Sequence, residues 1–165
     1  MKKTEELHTI TSKLSAADVA YLDAAQLYIK VPEHDALVVH AGVPPSVTFL
    51  PPVRDIEAMD RSKADKYKQL LRVRFVKPDG WMVPLGDETD ADVYWAEVYD
   101  GRFGHVYYGH QPYYPDPAPR EFSHATGIDL GCCFGGHLCA AVLTDGGREY
   151  VTVPARAKYA SGLWD

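Results

Sequence analysis

Ala36-Leu37-Val38-Val39-His40-Ala41-Gly42-Val43-Pro44-Pro45 is the stretch from which the rest of the chain is read. Its unbroken apolar run predicts a buried strand over 36–40 with His40 at the carboxyl edge. A proline-rich loop (41–52) follows, which cannot hold a ladder because proline lacks an N–H. The pattern recurs at His105-Val106-Tyr107-Tyr108-Gly109-His110, a second short buried strand ending in Gly-His. A histidine in this context is either a hydrogen-bonded rim residue or a metal ligand. Neutral imidazole binds divalent cations, a strand holds it with little play, and the glycine lets an ion approach the backbone. Spacing alone leaves both readings open.

Working outward, Ser15 caps a helix beginning at Ala16 and running through Leu27, with Leu22, Ala25 and Leu27 as its buried stripe. Leu27–Val31 reads as a strand ended by Pro32. Residues 55–71 place Ile56, Met59, Tyr67, Leu70 and Leu71 at helical spacing. Arg72–Val76 alternates like a half-exposed strand, Lys77–Trp81 is turn chemistry, and a helix is expected at about 90–99. Residues 111–120 are loop. Gly127–Gly131, Leu138–Asp145 and Glu149–Ala155 close the chain as three strands, with a hairpin at Asp145-Gly146-Gly147. The fold class expected is mixed α/β (α+β), a sandwich with helices packed outside, in one domain or a large piece of one.

Composition narrows the function classes. The 165 residues are 46% hydrophobic and 24% charged, which excludes a disordered chain. No apolar run approaches the roughly 18 residues that cross a bilayer, so no membrane role is expected. The first residues, Met1–Ile10, carry two lysines but no apolar core and no small-residue cleavage site, so no signal peptide is read. A net charge of −6 disfavours a nucleic-acid polymer as partner, while a small phosphorylated substrate remains compatible if divalent cations supply the positive charge. The three cysteines, Cys132, Cys133 and Cys139, form no CxxC pair and read as buried, reduced thiols of a cytoplasmic protein.

A third motif is Gly127-Ile128-Asp129-Leu130-Gly131-Cys132-Cys133-Phe134-Gly135-Gly136. By itself it is a glycine-rich turn between strands. It is not a P-loop, since no Gly-Lys-Ser/Thr follows and no helix opens after it. In this order and spacing, however, VVHAGVPP, YGHQP and GIDLGCCFGGHLCAAVL resemble three segments of the calcineurin-like metallophosphoesterases, the group that holds protein phosphatases and symmetrical diadenosine tetraphosphatases. YWAEVYDGRFG is similar to their lead-in to Gly-His. The resemblance runs from about Glu5 to about Val153.

The resemblance implies a two-sheet sandwich flanked by helices, and hydrolysis of a phosphoester by water activated between two metals. His40 and His110 match two ligands of the same, second metal. Asp129 matches a loop-shaping position. The group's Asp-x-His, Gly-Asp-x-x-Asp-Arg-Gly and Gly-Asn-His segments do not occur here. The chain therefore corresponds to the C-terminal half of such a domain. No residue is assigned as catalytic, and the dinuclear centre is expected only in the complete enzyme. Mn²⁺ is the expected ion, with Fe, Zn or Ni as alternatives.

The expected substrate is a phosphorylated small molecule, a dinucleotide polyphosphate or a phosphoprotein. Arg72, Arg74 and Arg102 are candidates for phosphate, each weighed against ordinary surface ion pairing. Tyr113 and Tyr114 are candidates for stacking a nucleobase. His8, His34, His105, His124 and His137 read as surface or satisfied histidines. A cysteine nucleophile is not expected, because no arginine follows Cys132 or Cys133 closely. Half a sandwich leaves an apolar face uncovered, so a homo-oligomer or a subunit supplying the other half is the expected partner. An inactive binding module or truncated remnant is the alternative function.

Overall fold

The computed structural model describes residues 13–161. His8 and the polar lead-in at 4–12 lie outside them. Strand β1 (Tyr28–Val31) and β2 (Ala36–Val39) form an antiparallel hairpin around a tight Pro32–His34 turn. Asp35 closes that turn at a φ of 44°, in the left-handed region that aspartate tolerates. The short pieces β3 (Phe75–Val76) and β4 (Val93–Tyr94) pair separately. β5 (His105–Tyr108) lies parallel to β2, and β7 (Ala125–Gly127) lies parallel to β5. β6 (Arg120–Glu121) closes the sheet antiparallel to β7, giving the order β1-β2-β5-β7-β6. β8 (His137–Thr144) and β9 (Gly147–Pro154) make a hairpin of their own.

The alternation of side chains along these strands sorts the core. Leu37, Val39, Val106, Tyr108 and Ala125 share one face and are buried. Helix α2 (Val53–Glu57), helix α3 (Arg61–Lys68) and the single turn α4 (Trp95–Val98) pack there through Ile56, Ala64, Tyr67 and Trp95. Each fully buried large side chain contributes roughly 1.5–3 kcal/mol by removal from water. Gly42 is required by this packing: a Cβ there would fall inside the Trp95 indole. His105, Tyr107 and Thr126 point from the other face toward the β8–β9 hairpin. Tyr150 donates to Thr126 Oγ1 (3.3 Å) and Glu121 (3.0 Å), and Arg148 pairs with Glu121 (3.3 Å). The architecture is a mixed α/β sandwich with helices outside, as the sequence leads one to expect.

Several elements differ from expectation. The first helix, α1 (Ala16–Asp23), stops at Ala24 and buries nothing; Leu22 and Ala25 are exposed, and only Leu27 packs partly against the core. The expected helix at 55–71 is two helices and a tight turn. Asp60, at ψ 145°, is extended and breaks it. The strand expected at 72–76 shrinks to β3, because Arg72 and Val73 complete the turn by bonding to the Gln69 carbonyl. The helix expected at 90–99 is β4 followed by α4, since Trp95 N–H donates to the Arg74 carbonyl and holds this stretch beside β3. Within 127–131 only Gly127 is in a strand. The loop expected at 111–120 yields its last residue to β6. The cysteines are not buried: Cys133 is exposed, Cys132 and Cys139 are half-buried, and all three are free thiols.

Two apolar surfaces are left open. The hairpin face opposite Tyr150 carries Leu138 (63% exposed), Val142 (42%), Val151 (51%) and Val153 (56%). On the large sheet, Ile29 and Val38 are also exposed. Two strands cannot roof five, so Ile29 and Val38, on the hairpin side of the β1–β2 end, stay open among the described residues.

Candidate functional site

The parallel pairing of β2 with β5 builds the site. Val39 lies opposite Tyr108, so both strands end at the same edge of the sheet, and their next residues emerge together. This is the carboxyl edge, where open α/β sheets place ligands. Gly109 N–H donates to the His40 carbonyl (2.9 Å), carrying the ladder one step further. His110 then turns at a φ of 68°. Its ring comes to the His40 ring, with His40 Nε2 and His110 Nδ1 3.1 Å apart and the ring centroids at 4.9 Å. The two histidines, 70 positions apart in sequence, form one imidazole pair.

Burial, then the neighbouring Arg74 guanidinium and then His40, hold the His110 pKa below the ordinary imidazole value. The ring is therefore neutral at pH 7, the state that binds a cation. Its Nε2 is buried and makes no hydrogen bond of ordinary geometry, although the Arg72 backbone carbonyl lies near the ring. A buried polar atom without a partner is costly, and a bound ion would relieve it. Two imidazoles at one strand edge are donors of the kind that borderline divalent metals take. They are not a full shell: no cluster of three or more His, Cys, Asp or Glu is present among the described residues.

Arg74 is half-buried at the same edge. Its Nε donates to Gln111 Oε1 (2.9 Å) and its Nη2 to the His110 carbonyl (3.3 Å). These bonds aim the guanidinium beside His110. Arg72 is exposed and close to His110 only through its backbone carbonyl. Arg102 is elsewhere, bound through Nε and Nη2 to Asp100 at 2.7–3.1 Å. Asp129 Oδ1 accepts from Gly131 N–H (3.0 Å) and shapes its loop.

Tyr113 is drawn inward. Its hydroxyl bonds to those of Tyr108 (2.7 Å) and Tyr94 (3.0 Å), and its ring lies over Gly127, where a Cβ would collide with it. Burial raises the pKa of all three tyrosines, so they stay neutral phenols. The ring with an open face is Tyr114, 42% exposed. His34 is half-buried and His124 exposed; His105 is half-buried and bonded to Thr126 Oγ1 (2.8 Å). His137 is an exception to the satisfied class, because its Nδ1 is buried without a partner.

Beside His110 the surface opens into a cavity of about 1170 Å³, bordered by Arg74, Asp129, Tyr113 and Tyr114. Sequence reading missed the other contributors, Gln111, Tyr94, Arg120 and Phe122. Three of them lie in segments expected to be loop or helix, where no periodicity marks them. Only the proximity of Gln111 to His110 was available as a signal.

The fold matches a crystal structure of a provisionally assigned diadenosine tetraphosphatase, with a TM-score of 0.63 and 24% sequence identity. The match covers 93% of this chain and 61% of that one, so the chain spans under two thirds of its neighbour. At this identity the likeness establishes the fold alone, a mixed α/β architecture. No protein-family model matches the chain, and no curated protein matches it in sequence. No helix among the described residues is long and apolar enough to cross a membrane.

Proposed function

We propose that the chain is the histidine-bearing part of a metal-dependent phosphoester hydrolase. The observation that carries this is the imidazole pair at the carboxyl edge of parallel strands, with His110 Nε2 buried and without a hydrogen bond of ordinary geometry. His40 and His110 would hold one divalent ion, Mn²⁺ first, with Fe, Zn or Ni as alternatives. When bound, two such ions polarise a phosphoryl oxygen and lower the pKa of water. Arg74, anchored by Gln111, offers its guanidinium to a phosphate beside His110. A planar fork held by two bonds orients phosphate better than a flexible lysine.

The missing ligands would come from polypeptide beyond these residues or from a partner subunit. Carboxylates and an asparagine, the remaining donors of a dinuclear centre, would have to meet the imidazoles from across the open edge. The substrate would be a phosphomonoester, a dinucleotide polyphosphate or a phosphoprotein, met in the cytoplasm. The exposed apolar hairpin face favours a second reading, in which the chain is a catalytically silent binding module.

Two measurements separate these readings. The first is Mn²⁺ binding by calorimetry to the chain, His40→Ala and His110→Ala. The second is Mn²⁺-dependent hydrolysis of p-nitrophenyl phosphate and diadenosine tetraphosphate, with and without a separately expressed N-terminal half from a related phosphoesterase. The enzyme reading expects weak Mn²⁺ binding lost in both variants, and hydrolysis only in the mixture. Absence of both Mn²⁺ binding and hydrolysis in every combination leaves the binding module.

A further inference from the structure

The cavity beside His110 has a composition that the phosphate chemistry alone does not require. Six rings border it: Phe75, Tyr94, Tyr113, Tyr114, Phe122 and Phe134. Tyr94 packs edge-on against Phe75 (centroids 5.9 Å) and tilted against Phe122 (5.6 Å), so these walls are fixed by one another. Tyr108 donates to Tyr113 and Tyr113 to Tyr94, so the Tyr94 proton is the one donor left over in this chain of hydroxyls. These walls offer mainly ring surface, with the Tyr94 O–H as a single donor.

The charges on the rim point the same way. Glu88, Glu97, Asp116 and Asp129 outnumber Arg74 and Arg120. Arg74 is bonded to the His110 carbonyl and Arg120 lies over the Phe122 ring (5.8 Å), so the lining as a whole carries more carboxylates than guanidiniums. Such a rim repels a second phosphate. At about 1170 Å³ the space exceeds what a bicyclic ring system needs.

We propose that this cavity is a specificity pocket for the uncharged planar aromatic group esterified to the phosphate, and that it excludes a polyphosphate tail. The inference rests on the phosphoesterase reading only for the orientation of the ligand, with its phosphate toward Arg74 and His110. Ring stacking on Tyr114 and contact with Phe122 would supply the affinity. Aryl monoesters and nucleosides share this chemistry.

The test is calorimetric titration of the metal-free chain at pH 6.5 with 4-methylumbelliferone, adenosine and inorganic triphosphate. The expected result is binding of at least one uncharged ring, with the triphosphate at least tenfold weaker than adenosine. Binding of 4-methylumbelliferone but not adenosine identifies an aryl source, and the reverse a nucleoside source. Ala118→Trp, which fills the cavity from its exposed rim, should weaken ring binding at least tenfold while leaving the thermal midpoint unchanged, and Tyr114→Ser should weaken ring binding by as much. A triphosphate that binds as tightly as adenosine overturns the proposal, as does ring binding indifferent to Ala118→Trp, or no ring binding at all. Mn²⁺ titration of the same samples keeps the two readings apart. Loss of Mn²⁺ binding with ring binding intact defeats only the phosphoesterase reading; Mn²⁺ binding without ring binding defeats only the pocket.

Discussion

His110 occupies the left-handed region at a φ of 68°, where a β-carbon costs about 1 kcal/mol or more. Its neighbours impose that conformation: Gly109 bonds to the His40 carbonyl and Arg74 to the His110 carbonyl. A residue held in a strained backbone, with a buried nitrogen left open, is where a fold stores a functional constraint. His105 shows the opposite treatment at the start of the same strand. Burial first, then the Arg148 guanidinium, depresses its pKa to about 4. Its folded pKa is therefore below the unfolded value of about 6.5, and the unfolded chain binds the proton more readily between them. His105 thus supports stability fully above about pH 6.5, and that support is lost as pH falls toward 4. The thermal midpoint should drop between pH 7 and pH 4.5, and His105→Gln should make that drop smaller. An identical drop in the variant would assign the acid sensitivity to other groups.

At the scale of elements, the two strands that matter were legible because they are short, apolar and flanked by glycine or proline. Helices were less so. The 55–71 pattern has helical spacing throughout, yet Asp60 takes an extended conformation and starts a new helix. Periodicity reports which face is apolar and not where the axis turns. α1 has a capping box at its start: Ser15 Oγ accepts from Asp18 N–H (3.2 Å), and Asp18 accepts from Ser15 N–H (2.8 Å). Loss of such a cap costs about 1 kcal/mol of helix stability. Because α1 buries none of its residues, that loss should stay local. Ser15→Ala should speed amide exchange within 16–23 severalfold while the global thermal midpoint holds. A lowered midpoint would show that α1 is coupled to the core after all.

For the whole molecule, the imbalance between a five-stranded sheet and a two-stranded roof dominates. Leu138, Val142, Val151 and Val153 form one exposed stripe, because the β8–β9 register puts Leu138 opposite Val153. Their side chains are about half exposed and contribute little beyond cross-strand contacts within the hairpin, so replacing them costs little stability. An exposed apolar stripe on an unpaired hairpin promotes association. Val151→Lys with Val153→Lys should leave the thermal midpoint within a degree or two and lower the sedimentation-derived mass of any oligomer. A wild-type chain that sediments as a monomer at high concentration would defeat this expectation.

The sequence by itself determined the mixed α/β class, the strand-ending positions of His40 and His110, and the hairpin at Asp145-Gly146. Each depends on local chemistry: apolar runs, β-branching, and residues that tolerate tight turns. Only the tertiary structure decided that the two imidazoles meet, because parallel pairing joins strands whose order in the chain does not fix their order in the sheet. Tertiary contacts also drew Tyr113 into a hydroxyl chain and left Tyr114 open, and placed Arg74 at the site while binding Arg102 to Asp100. Side chains of one type compete for the same partners, and which of them wins depends on distances that no spacing along the chain records.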